Sequence, residues 1–150
     1  MYPHSLIHQA LITLEVGDAT ALFILLTRDG MIQRKGDGNP AHTSLPLVQG
    51  ISHDGHFEAL MMTIPGDLFQ YTGVRKMEDL AGKECRLTII FQAKDGADYS
   101  FRVVYGSESA GPPIELAQVL INAVKITEPW YTAQQMELHA GEKKWWQVWK

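Results

Sequence analysis

The chain has one cysteine and no long run of basic or apolar residues. Cys85 has no second cysteine to pair with, so an internal disulfide is excluded. The 13 lysines and arginines are interspersed with 17 aspartates and glutamates, and no basic cluster suited to a nucleic acid backbone is present. The longest apolar run, Ala21 to Leu26, is far too short to cross a bilayer. These absences disfavour a disulfide-stapled, a nucleic-acid-binding and a membrane-spanning protein.

The composition is typical of one globular domain. A chain of 150 residues with 45% hydrophobic and 20% charged residues is long enough to bury a core. We therefore expect a single domain over residues 1–150, with residues 140–150 as a Trp-rich tail. The first residues lack the charged and apolar regions of a signal peptide, so we expect a cytoplasmic protein.

Two parts of the chain predict β-hairpins. Leu22–Arg28 and Met31–Lys35 flank an Asp-Gly pair, which favours a tight type I′ turn because both central residues need positive φ. Arg86–Gln92 and Asp98–Tyr105 flank a second Asp-Gly turn, and their apolar residues alternate. Both hairpins favour an antiparallel sheet.

Further elements complete a sheet of five or six strands. Ala10–Val16 alternates between apolar and polar residues, and Phe57–Ile64 is apolar on both faces, so we expect two more strands there. Asp67–Tyr71 and Met77–Ala81 are followed by glycines and predict short helices between strands. The expected fold class is α+β with a mostly antiparallel sheet.

A long helix is predicted in the C-terminal half. Over Ile114–Ile126 the polar residues form one narrow stripe, which indicates a helix that is buried over most of its circumference. One sheet face covers part of such a helix, so the remainder needs the Trp tail or a second subunit. Pro129 is expected to separate it from another helix over Trp130–Leu138.

The stretch Gly36–Gly55 lacks an apolar period and is long for a loop. It contains or adjoins His42, His53, Asp54 and His56, and imidazole with carboxylate is a plausible ligand set for zinc or another transition metal. The spacing matches no specific metal motif, so the alternative, solvated loop histidines beside a glycine turn, is favoured over a metal site.

Two nucleophile candidates have ordinary structural alternatives. Ser109 lies where a hydrolase elbow would place its serine, but Ser107 replaces the first glycine, and two prolines delay the helix. A simple loop before a helix is therefore favoured. Cys85 adjoins Arg86, a cation that lowers a thiol pKa when the two groups are close. The alternative for Cys85 is a small buried hydrophobic residue.

The last residues carry the strongest signal for a binding surface. Trp145, Trp146, Val148 and Trp149 are interleaved with lysines, and large amphipathic side chains gain free energy when they leave water. In a helix Trp145, Val148 and Trp149 would share one face. The tail is expected to pack on its own domain, to bind a protein, or to lie on a bilayer surface.

The sequence favours a non-enzymatic interaction or regulatory protein, of the accessory, chaperone-like or immunity type, that acts through its apolar C-terminal surface. The expected partner is a second copy in a homodimer or another protein, and no cofactor is implied. The alternative is a metal- or small-ligand-binding enzyme that uses the histidines of residues 36–56.

Overall fold

A computed structural model describes residues 5–148, and it describes side chains over residues 5–138. The strands are β1 (Ile7–Val16), β2 (Ala19–Thr27), β3 (Met31–Gly36), β4 (Leu47–Ile51), β5 (Gly73–Lys76), β6 (Glu84–Ala93) and β7 (Asp98–Gly106). The α-helices are α1 (His56–Thr63) and α2 (Ile114–Val148), and two 3-10 helices span Pro40–His42 and Gly66–Tyr71.

The strands form one seven-stranded sheet in the order β4-β3-β2-β1-β6-β7-β5. All neighbours are antiparallel except β5, which runs parallel to β7. The α+β class, both hairpins and the strand over residues 10–16 are thus confirmed. The type I′ turn expected at Asp29-Gly30 is wrong, because Gly30 alone of the two has positive φ, and the Gly30 amide donates to the Thr27 carbonyl at 3.1 Å to close a turn over residues 27–30. The sheet exceeds the expected five or six strands because β4 and β5, both short and at its edges, lack an apolar alternation in the sequence.

The core lies on one face of the sheet. Alternate residues of the central strands are buried there, and α1, α2 and the 3-10 helix at Gly66–Tyr71 pack over them. The strands contribute a set of buried aliphatic and aromatic side chains that includes Ile12, Leu14, Leu22, Ile24, Leu87, Ile89, Phe91 and Phe101. Burial of such side chains supplies the main stabilisation, about 2 kcal/mol each.

The expected strand at residues 57–64 is wrong, because this segment forms helix α1. Its buried residues Phe57, Leu60, Met61 and Ile64 recur at the spacing of one helical face. Apolar residues between them, such as the exposed Met62, gave the segment the appearance of a strand that is apolar on both faces.

Two other short segments differ from expectation. Residues 36–55 are not one loop, since they contain β4 and the 3-10 helix at Pro40–His42. The helix expected at residues 77–81 is absent from the described chain. There the Met77 amide donates to the Val104 carbonyl, and the Asp79 carboxylate accepts from the Ala81 amide, a local bond that competes with helix formation.

Helix α2 runs through Pro129, so the expected break between two helices is wrong. Pro129 lacks an amide hydrogen and forfeits one helical hydrogen bond. Thr127 and Tyr131 lie on either side of it, and both are buried against the sheet. Their packing holds the chain in the helical conformation across the proline.

The buried face of α2 is narrower than expected from the small width of its polar stripe. Leu116, Val119 and Ala123 are buried, whereas the apolar Ile114 and Ile121 are exposed. One side of the helix covers the sheet and the other faces solvent.

Candidate functional site

A fully buried arginine fixes α2 to the sheet. Arg34 follows Ile32 on the inward face of β3, and its Nη2 atom forms an ion pair with the Glu128 carboxylate at 2.5 Å. Its Nη1 atom donates to Thr127 Oγ1 at 3.2 Å and to the Val124 carbonyl at 3.3 Å, so one guanidinium makes two hydrogen bonds and one ion pair to α2. Charge-assisted bonds of this kind are stronger than neutral ones and define the position of the helix.

Tyr131 extends the same anchor. The guanidinium carbon of Arg34 lies 4.5 Å from the centre of its ring, a cation–π geometry. Its hydroxyl accepts from the Gly36 amide at 3.1 Å and donates to the Pro46 carbonyl at 2.5 Å. Burial raises the pKa of Tyr131, which keeps the phenol neutral and able to donate.

Beyond Tyr131 none of the described side chains of α2 is fully buried. Every side chain over residues 132–138 is exposed or half-buried, although the helical backbone continues to Val148. Leu138 lies about two turns after Tyr131 and therefore on the same helical face. Tyr131 is 1% exposed and Leu138 is 53% exposed, so the core-packing face of α2 continues past the body of the protein.

The predicted partner-binding residues lie on this continuation in sequence. Backbone positions 145, 146 and 148 belong to α2, and position 145 falls on the face of Leu138 by helical spacing. The side chains of Trp145, Trp146 and Val148, and the whole of Trp149, lie outside the described residues. Their role as a binding surface stays a prediction.

The predicted metal residues lie in two different places. His42 Nδ1 lies 2.7 Å from Asp37 Oδ2 at the end of the 3-10 helix. Burial alone would raise the pKa of Asp37, but bonds from His42 and from the Asn39 amide outweigh it and lower that pKa. His42 therefore has a structural partner within its own loop.

His53 and His56 line one cleft of about 240 Å³ beside the β2–β3 turn. Arg28, Asp29 and Glu58 line it too, whereas His42 and Asp54 do not. Arg28 donates through Nε and Nη2 to the Ile7 carbonyl, at 3.0 and 2.8 Å, so that guanidinium is committed to the fold.

Among the residues that the structure describes, no group of three or more His, Cys, Asp or Glu residues is placed to hold a metal ion. Two of the four predicted ligands share a cleft, and the metal role of the set stays a prediction.

The two nucleophile candidates, Ser109 and Cys85, have ordinary structural roles in the fold. The Ser109 hydroxyl donates to the Gly106 carbonyl at 2.7 Å and accepts from the Gly111 amide at 3.1 Å, within a turn. Cys85 is buried opposite Tyr105, and burial raises its thiol pKa. Arg86 instead pairs with Glu15 at 2.8 Å, so it does not activate the thiol.

Sequence reasoning missed the Arg34 anchor. The available signal was the alternation in β3, which places Arg34 on the same face as Ile32. An inward-facing arginine requires a carboxylate, but the residue that supplies it lies on a helix far along the chain.

None of the described helices combines the length and the apolar content that a bilayer crossing needs. No protein-family model, no curated protein and no solved structure matches this chain.

Proposed function

We propose that this chain is a non-enzymatic interaction protein that binds a partner protein through the C-terminal half of α2. The observation that carries the proposal is the change along one helical face, from the buried Tyr131 to the half-exposed Leu138. An apolar helical face without a cover is the surface that helix-in-groove recognition uses.

The anchor at Arg34 supports this role. Its bonds to Val124, Thr127 and Glu128 fix the helix just before the uncovered part begins. From Tyr131 to Val148 the helix extends for about 25 Å. A surface presented on a firmly held helix loses little conformational entropy when it binds.

The chemistry of the tail indicates the kind of partner. Trp145 follows Leu138 by about two helical turns and so falls on the same face of the helix. Tryptophan is among the residues that most often dominate a binding interface. Lys143 and Lys144 precede it. We therefore propose a partner with an apolar groove and an acidic rim.

The experiment compares two variants of the full chain. Leu138→Glu places a charge on the proposed binding face, and Met136→Glu places the same charge on the opposite side, at a residue that is 68% exposed. Native mass spectrometry of the complex captured from the source cells measures how much partner is bound.

We expect Leu138→Glu to lose the partner and Met136→Glu to retain it. Equal retention by both variants would contradict the proposal. A complex whose mass is twice that of the chain would identify the partner as a second copy.

A further inference from the structure

We propose that two copies of this chain form a dimer by pairing their β4 strands across a two-fold axis, which joins the two sheets into one. The surface is separate from the C-terminal half of α2, and the inference does not rest on the function proposed for that helix.

The first observation is the open edge of β4. Within the described chain β4 has β3 as its strand neighbour on one side and none on the other. The Ser52 amide donates to the Gly30 carbonyl at 2.8 Å, so the backbone groups of Ser52 point toward β3. Along a strand the backbone groups of successive residues point to opposite sides. Gly50 and Val48 therefore direct their backbone groups to β3, and those of Leu47, Gln49 and Ile51 point outward.

The second observation is that this edge lacks the usual protection against pairing. The sequence Leu-Val-Gln-Gly-Ile contains no charge and no proline, and no bulge interrupts its register with β3. Ile51 is 69% exposed and Leu47 is 53% exposed. The opposite edge, β5, carries Arg75 and Lys76, which are typical of an edge kept free of other strands.

The third observation selects a second copy as the occupant. An antiparallel pair centred on Gln49 places Leu47 opposite Ile51 of the other copy, and the reverse, while Gln49 faces itself. Each of these three pairs exchanges two backbone hydrogen bonds, because all three residues point outward. The strand thus pairs with itself with every outward backbone group bonded, with apolar Leu47 against apolar Ile51, and with no like charges brought together.

The side chains on both faces agree with this register. On the outer face, Met31 and Lys35 already lie opposite Ile51 and Leu47, so each apolar cross-strand pair continues an existing row. On the inner face, the bare side of Gly50 is covered by Trp130, whose Cζ2 atom is 3.3 Å from where a Cβ would be. Gly50 would face Val48 of the other copy, where Gly50 presents no side chain of its own and the Trp130 ring is the apolar neighbour.

The test uses charge reversal at the axis, in the full chain. Gln49→Lys and Gln49→Glu each place two like charges opposite each other, and Gln49 is exposed, so neither change disturbs the core. We expect each variant alone to raise the dimer dissociation constant by at least about tenfold, and an equimolar mixture to restore it as a heterodimer. Sedimentation velocity measures the species, and circular dichroism confirms that each variant is folded.

Val74→Lys on the other edge strand is the matched control, and we expect it to leave the dimer unchanged. A wild-type chain that stays monomeric at all concentrations overturns the proposal. So does a dimer that tolerates both Gln49 variants, or a pair of folded monomeric variants whose mixture does not associate. A dimer lost in Leu138→Glu but kept in both Gln49 variants assigns the contact to α2.

Discussion

The guanidinium of Arg34 and the carboxylate of Glu128 meet at 2.5 Å, with the arginine fully buried and the glutamate side chain 50% exposed. The pair joins β3 to α2 at the point where the helix begins to leave the sheet. A buried charge requires a partner, and an arginine held by one fixes the geometry around it more firmly than an apolar contact does. The contacts of Arg34 thus hold α2 in place immediately before its apolar face becomes exposed to solvent.

Removing the charge of Glu128 tests the anchor. Glu128→Gln leaves the buried Arg34 without its counter-ion, and because the glutamate is half in solvent we expect a loss of about 2 kcal/mol in the free energy of unfolding. Glu15→Gln removes one partner of the Arg86–Glu15 pair, whose side chains are 46% and 45% exposed, and should cost less than about 1 kcal/mol. Urea unfolding of both variants measures the difference, and equal losses would show that Arg34 needs no counter-ion.

Gly36 is predicted to be irreplaceable at the end of β3. Its φ is +81°, and a Cβ there would collide with the Ala21 carbonyl oxygen. Gly38 has φ +90°, and a Cβ there would have nothing within 4 Å. Gly38→Ala therefore introduces the backbone strain of a positive φ without a collision. We expect Gly38→Ala to lower the melting temperature by a few degrees and Gly36→Ala to lower it much further. Similar melting temperatures in the two variants would show that a Cβ at position 36 does not collide with the Ala21 carbonyl oxygen.

Tyr105 should ionise late. Burial, and after it the neighbouring Cys85 thiol, raise the pKa of Tyr105 from 10.0 to about 12. The folded state therefore favours the neutral phenol, and the resulting stability is full below pH 10.0 and is lost as the pH rises towards about 12.

Tyr105→Phe removes this titration, so above pH 10.0 its stability should fall less steeply than that of the wild type. The difference in phenolate absorbance between the two proteins gives the pKa directly. A Tyr105 phenol that titrates at its ordinary value would show that solvent reaches it.

The sequence predicts those elements whose pattern comes from local chemistry. The Asp-Gly pairs and the apolar alternation of the flanking strands predict where both hairpins lie. The turn type is not predicted correctly, because neither Asp29 nor Asp95 has the positive φ that a type I′ turn requires. The pattern of residues 57–64 predicts a strand because α1 has more apolar residues than those that face the core, and the extra ones hide the helical period. Edge strand β4 buries Val48 alone, so it has no apolar alternation to recognise.

The site depends on tertiary contacts, which a local pattern does not carry. Pro129 predicts a break in the helix, and the packing of Thr127 and Tyr131 overrides it. Arg34 and Glu128 lie far apart in the chain, and neither residue alone indicates the pair. The Trp-rich tail is evident in the sequence, and its helical register with Leu138 follows once α2 is known to be continuous.

Site-specific photo-crosslinking along α2 tests the proposed binding surface most directly. A photoreactive residue at position 138 lies on the uncovered face, and one at position 136 lies on the opposite side of the same turns. After illumination in the source cells, we expect one discrete protein adduct from position 138 and none from position 136. Adducts of equal yield and pattern from both positions, or none from either, would contradict the claim that this helical face binds a partner.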